Sequence, residues 1–233
     1  MRPGACAVSE KGVAAVDRAL SILECFGTDQ DSLSLKELAD GTGLYKSTIL
    51  RLCVSLEAFG YIRRRDDGRY QLGPTLWRLG TRYRNQFDIA GHIRPVLKDL
   101  AAVTGESASY YVRDGDARIC LLRQNSTQAI RHHLDEGTRL PLTHGAATHL
   151  IRAFTEAAAP DGADIRTRGY AVSLGERDPD TASIAVPVFG GTGDFLGALV
   201  ISGLRSRFDE AARTEAIALA QRAAATLSQN IAV

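Results

Sequence analysis

Apolar residues recur at helical spacing along the first third of the chain. Val13, Val16, Ala19, Leu20, Ile22, Leu23 and Phe26 form one broad stripe that ends at Gly27. A second helix is predicted from Ser34, where Ser34 and Glu37 stand at capping-box spacing. Leu35, Leu38 and Ala39 give it an apolar side, and Gly41 is its expected stop. A third helix, from about Tyr45 to Phe59, lines Ile49, Leu52, Cys53, Leu56 and Phe59 along one side, with Gly60 as the cap. YIRRRDDGRYQL then reads as two short strands around an Asp67-Gly68 turn. From Gly73 a connecting helix carries Leu76, Leu79 and Tyr83, with Arg78 and Arg82 opposite. The next helix carries Ile93, Val96, Leu97 and Leu100 and ends at Gly105.

Beyond Gly105 the period changes to two. ASYYVRDGDARICLLRQ reads as strand, turn, strand, and QAIRHHLD as a third strand. THGAATHLIRAFTEAAA is helical and PDGAD a loop. SIAVPVF and FLGALVIS are strands joined by GGTGD, and a long terminal helix starts near Asp209. The fold class is therefore α+β. A winged helix-turn-helix of three helices plus a hairpin, with a loose N-terminal arm, takes residues 1–72; a linker helix takes 73–90; an α+β domain takes 91–233.

Charge sharpens this picture. The formal net charge of the 233 residues is only +1, yet Leu44 to Gln71 holds six Lys/Arg against three acids. Phosphate binding needs a basic contact surface, not a basic protein. Lys46, Ser47, Thr48 and Arg51 stand near the start of the third helix, opposite its apolar side, as a recognition helix requires. Arg51 has the paired donors that guanine's major-groove edge accepts. Arg63, Arg64, Arg65 and Arg69 on the hairpin would meet the DNA backbone or minor groove, and Ser34 is counted with this DNA-facing set. Any exposed helix shows a polar face. The order helix, capped helix, turn, helix, basic hairpin is what selects DNA.

These residues resemble the IclR family of transcriptional regulators. AVDRALSILECF, LSLKELADGTGLYKSTILRLCVSLEAFGYI and GRYQLGPTLWRLG resemble its DNA-binding module and linker. VTGESASYYVRDGDARICLLR, GTRLPLTHGAA, RGYAVSLGERD, IAVPVF and ALVISG resemble its effector domain. The resemblance implies a GAF-like C-terminal domain and a ligand-responsive regulator of a bacterial catabolic operon, by family habit a repressor. It also implies operator DNA and a small organic or aromatic acid as partners, homodimers or homotetramers, and a cytoplasmic location. The family's ligand carboxylate lies at the positions of Ala146 and Ala147, where Gly145 also brings backbone close. From residues alone a plain loop entering a helix is the commoner reading of this junction, and it is the resemblance that favours a ligand site.

Other positions depart from the family. A frequent acid is Ser173 here, and a frequent cysteine is Ser183. Ser202 keeps the second of two hydroxyl positions, while Val200 stands at the first. Fewer charged groups and an apolar wall imply a different or bulkier effector than a very small oxoacid. The stretch from Phe154 to Arg168 is also shorter than the family's.

Four widely spaced cysteines (Cys6, Cys25, Cys53, Cys120) form no C-x-x-C pair, and Cys25 and Cys53 fall on apolar faces as small buried hydrophobes. No apolar run approaches membrane-spanning length, and MRPGACAVSEKG lacks the apolar core of a signal peptide, so no membrane partner is expected. His132, His133, His144 and His149 complete no zinc motif, and no nucleophile elbow is present. The expectation is no metal, no cofactor and no catalytic residue. Two other readings stay open: a GAF-like or zinc-dependent enzyme or sensor carrying a DNA-binding domain, and DNA binding without ligand control.

Overall fold

The computed structural model describes residues 12–27, 30–86, 89–131 and 133–231. The arm up to residue 11 with Cys6, and His132, lie outside the described residues, as does the side chain of Tyr83. The chain divides into two compact units, Met1–Gln86 and Phe87–Val233.

In the first unit, α1 (Ala14–Leu23), α2 (Leu35–Thr42) and α3 (Lys46–Ala58) precede a hairpin of β1 (Ile62–Arg64) and β2 (Tyr70–Leu72), then α4 (Pro74–Gln86). Ile22, Leu33, Leu38, Ile49, Cys53, Leu56, Ile62 and Tyr70 are its buried core. Each large aliphatic side chain buried there contributes about 1.5–3 kcal/mol. The capping box forms: Glu37 N–H donates to Ser34 Oγ (3.2 Å), and Ser34 N–H donates to the Glu37 carboxylate (2.7 Å). Helix α2 runs on past Gly41 and stops at Gly43, the residue that takes the left-handed conformation a helix stop needs (φ +70°). Gly41 instead lets Cys25 approach; a Cβ there would meet its Sγ at 2.9 Å.

The stripe on α1 is wider than the core it serves. Ile22 is buried, with Ala19, Leu23 and Phe26 packed beside it, while Val16 and Leu20 are each 53% exposed. Phe59, read as part of the packed side of α3, is also exposed, because it lies past the helix end as its C-cap. The hairpin turns through Gly68 (φ +79°), with Arg65 N–H bonded to Arg69 O at 2.8 Å. Leu33 and Tyr70 exchange backbone hydrogen bonds of 2.8 and 2.7 Å, which stitch the hairpin to the segment before α2.

The second unit opens with α5 (Ile89–Thr104). Its strands are β3 (Ser107–Asp114), β4 (Ala117–Gln124), β5 (Arg139–Pro141), β6 (Ala171–Leu174), β7 (Thr181–Phe189) and β8 (Phe195–Leu204). They form one antiparallel sheet in the order β5-β4-β3-β8-β7-β6. One face packs on α5 and α8 (Glu210–Asn230), the other on α6 (Ala146–Thr155) and α7 (Gly162–Arg168). Asp209 caps α8 by accepting from Ala212 N–H (2.8 Å). Ala216, Ala220 and Ala224 give α8 a small-residue stripe, so it lies close on Ile184, Val186 and Val188 of β7.

Two readings change here. The strand expected in QAIRHHLD is absent from the described residues of that stretch. Ser126 ties the chain down first, its N–H to Ser107 Oγ (3.0 Å) and its hydroxyl to Gly105 O (2.5 Å), so the edge strand forms later, at Arg139–Pro141. PDGAD is only partly a loop, since α7 begins inside it at Gly162.

A β-bulge matters more. The β3–β4 register shifts between Tyr110, opposite Leu122, and Tyr111, opposite Cys120. The extra residue, Leu121, breaks the alternation: Leu122 packs towards α5 and α8, whereas Cys120 packs towards α6. Burial pushes the thiols of both Cys53 and Cys120 up to about 11.

Gly73 carries a backbone crossing at the exit of the hairpin. Its N–H bonds to Tyr61 O at 2.7 Å, and a Cβ would sit 2.1 Å from Gly60 O. Gly73→Ala forces backbone apart and should destabilise the first unit by about 1–3 kcal/mol, the usual cost of overpacking. Urea unfolding of wild type and variant measures this; coincident curves would mean the crossing relaxes freely.

Candidate functional site

Helix α3 presents an open N-terminus. Its N-cap, Tyr45, makes no side-chain cap, and no acid stands in the first turn. The backbone donors and the positive end of the helix dipole therefore face outward. Lys46, Ser47 and Arg51 are exposed and Thr48 is half-buried on this end of the helix. Tyr45 itself is 85% exposed beside them, a polar-tipped ring the sequence reading passed over.

The hairpin cations split into two kinds. Arg63, Arg64 and Arg65 are exposed; Arg64 lies over the Tyr70 ring (5.8 Å), and Arg65 stands 3.8 Å from Asp67, a surface pair worth at most about 1 kcal/mol. Arg69 turns inward. Its Nε donates to Ser32 Oγ (3.0 Å), and its Nη2 donates to Ser32 O (2.8 Å) and to Glu37 (2.9 Å). It braces the hairpin against α2, whereas the sequence places it with the arginines that would meet the DNA backbone or minor groove. Ser34, also read as DNA-facing, spends its Oγ on the α2 cap.

In the second unit a cleft opens at the head of α6. Gly145, Ala146, Ala147, Ser173, Ser183, Val200 and Ser202 all line it, drawn from four separate stretches of sequence. Sheet register explains the convergence. Ser173 pairs with Ser183, Ser183 with Ser202, and Ser202 with Ser107, so one row of serines crosses β6, β7, β8 and β3. Ala146 N–H points at Ser183 Oγ (3.4 Å). Val200, two residues from Ser202 on the same face, adds an apolar wall.

Tyr111, Arg118, Thr181 and Arg177 line the same cleft and were missed. Arg118 carries no signal in A-R-I-C-L-L-R, because the bulge at Leu121 is what separates its face from that of Leu122. It is 4% exposed, and its Nη1 donates to His144 O (3.0 Å), Pro141 O (3.4 Å) and Thr148 Oγ1. Desolvation pulls its pKa down, with the Arg177 charge adding to the shift. Glu176 closes over the helix end, accepting from Gly145 N–H (3.0 Å) and meeting His149 Nε2 at 2.7 Å. Burial pushes the Glu176 carboxyl up, but hydrogen bonds from Gly145, His149 and Ser173 outweigh it and hold the group below its ordinary value.

Among the described residues no three His, Cys, Asp or Glu side chains gather as a metal site. His149 goes to Glu176 and His133 to Asp135 (3.1 Å). No helix among the described residues is long and apolar enough to cross a membrane.

The chain matches the model of the IclR helix-turn-helix domain over residues 15–66, and that of the bacterial transcriptional regulator IclR C-terminal domain over 81–162 and 161–229. It belongs to the IclR family of transcriptional regulators. The two C-terminal matches meet inside the short Phe154–Arg168 stretch. The HTH-type transcriptional regulator BhcR of Paracoccus denitrificans is 30% identical over 226 residues, covering 86% of this chain and 81% of its own. A solved IclR regulator from Silicibacter superposes with a TM-score of 0.80 at 25% identity, covering 94% and 96% of the two chains. An IclR homolog of Microbacterium hydrocarbonoxydans complexed with 4-hydroxybenzoate shares the fold, with a TM-score of 0.80 at 17% identity and coverage of 94% and 99%. IclR regulators bind operator DNA and small-molecule effectors, and the relatives found are regulators, not enzymes.

In this IclR chain the hairpin brace runs through an ionisable group, the Glu37 carboxylate that accepts from Arg69 Nη2. Hydrogen bonds from Ser34, then the Arg69 charge, hold the Glu37 carboxyl below its ordinary 4.5. A depressed carboxyl stabilises above its unfolded pKa, and that contribution is lost as pH falls through the folded value. Unfolding of the wild type should therefore weaken with acidification below about pH 4.5 more steeply than that of Glu37→Gln. Parallel pH profiles would show that Glu37 contributes nothing through its charge.

Proposed function

We propose that the chain represses a bacterial catabolic operon and responds to a small organic or aromatic acid bound at the head of α6. Residues 1–72 read the operator, 73–90 connect, and 91–233 sense the acid, in the cytoplasm and as a homodimer or homotetramer. The observation that carries the reading is the convergence of Gly145, Ala146, Ala147, Ser173, Ser183, Val200 and Ser202 on one cleft. The helix end supplies positive dipole, the serine row supplies hydrogen bonds, and Val200 supplies an apolar wall. That an acid, 4-hydroxybenzoate, is bound by the Microbacterium homolog of the same fold fits this chemistry.

Assembly follows from the DNA. One recognition helix covers a few base pairs, so two half-sites call for at least two copies. The exposed apolar residues Val13 at the N-cap of α1, Val16 and Leu20 on α1, and Trp77 and Leu79 on α4 are the surfaces offered for that contact. A monomer in sedimentation at micromolar concentration, footprinting a single half-site, would rule assembly out.

On DNA, Arg51→Ala should lower operator affinity and relax base preference, a bidentate arginine–guanine pair being worth about 1–3 kcal/mol of discrimination. Arg64→Ala should weaken binding to all sequences and flatten the salt slope. Gel shifts on a selected operator separate the two; unchanged sequence preference in Arg51→Ala would remove it from base reading.

For the switch, Ser202→Ala leaves a ligand oxygen unpartnered, at about 1–3 kcal/mol. DNA release should then need roughly ten-fold more acid, with ligand-free operator affinity unchanged. Operator DNA should shift acid affinity by the same factor as acid shifts DNA affinity. Calorimetry with and without operator tests both: equal acid affinity in wild type and variant removes Ser202 from the site, and equal affinity with and without DNA removes the switch.

A further inference from the structure

We infer that Arg118 is the anion anchor of the cleft, taking the effector's carboxylate side-on along its Nε–Nη2 edge. The inference rests on the reading of the cleft as the effector site and names the ligand class: acids with a planar carboxylate on a small apolar body.

The guanidinium is buried and, among the described residues, forms no ion pair with an acid. A buried cation without its counter-charge is costly to keep. Its hydrogen bonds explain one end of the group only. Nη1 makes all three of them, to His144 O, Pro141 O and Thr148 Oγ1. Nε is buried with no partner, and Nη2 stands beside Gly145 at the head of α6, 3.6 Å from where a Cβ on that residue would lie. Nε–H and Nη2–H are the two parallel donors of a guanidinium that match a carboxylate bidentately. The Tyr111 ring, 5.5 Å from the guanidinium carbon, helps to hold that plane.

The neighbouring donors point the same way. Gly145 N–H is already held by Glu176, so part of the helix end carries the protein's own carboxylate. Arg177, lining the same cleft, adds a second positive charge. Ala146, Ala147 and Val200 leave an apolar surface for the body of the acid, and the serine row can meet a hydroxyl or keto oxygen. The uncharged amide of such an acid would match the fork at one atom only.

The test uses the full chain and matched probes: benzoate, 4-hydroxybenzoate and 2-oxoisovalerate, each beside its carboxamide, in calorimetry. For wild type we expect acid over amide by ten-fold or more. In Arg118→Met the acid should weaken by at least ten-fold and the acid-over-amide preference should collapse towards one, a change that mere loosening of the cleft would not produce. Arg118→Lys, which keeps the charge and loses the fork, should fall between; if the Met variant does not fold, the Lys variant decides, and wild-type affinity there overturns the anchor. An undiminished acid preference in Arg118→Met also overturns it. If Ser202→Ala still weakens the acid in that case, the effector reading survives without the anchor. Failure of every acid to bind wild type overturns both.

Discussion

The hydrogen-bond register of β8, held in the middle of the sheet by β3 and β7, governs where the chemistry of the second unit ends up. Side chains on a strand alternate, so Leu199 and Ile201 belong to the core under α5 and α8, while Ala198, Val200 and Ser202 face α6. A slip of one residue would send Ser202 into hydrocarbon and Ile201 into the cleft. Burial of large aliphatic groups on one face thus fixes hydroxyl positions on the other. The serine row needs no dedicated device to align it; it inherits its order from the packing behind it.

Local signals were legible and distant ones were not. Ser34 with Glu37, Asp67-Gly68 and Asp209 each act within four residues, and each stands in the structure where its spacing put it. The three helices and hairpin of the first unit and the α+β character of the second followed from periodicity, and the family assignment agrees with both. Arg69 could not be placed in the same way, because its partners Ser32 and Glu37 lie more than thirty positions away and a charge run reads as solvent-facing by default. Glu176 reaches Gly145 across a similar distance. Arg118 was hidden by the bulge: alternation read from Leu122 puts it on the wrong face. Val16 and Leu20 failed for another reason. An apolar stripe reports that a surface avoids water, and not which partner covers it.

The short Phe154–Arg168 stretch leaves a compact corner over α6. Arg166 Nη1 bonds back to Ala153 O, and a Cβ on Gly162 would meet Ala159 Cβ at 3.2 Å. Asp161 turns the chain there in a left-handed conformation (φ 54°) that non-glycine residues seldom adopt. Two helices of ten and seven residues therefore roof this face of the sheet.

The raised thiols of Cys53 and Cys120 have a consequence for life under oxidants. Peroxide attacks the thiolate, and a thiol with a pKa near 11 is ionised in only about one molecule in ten thousand at neutral pH. Both side chains are buried, one in the core of each unit. These two cysteines should stay silent through bursts of peroxide that would oxidise an exposed, ionised thiol.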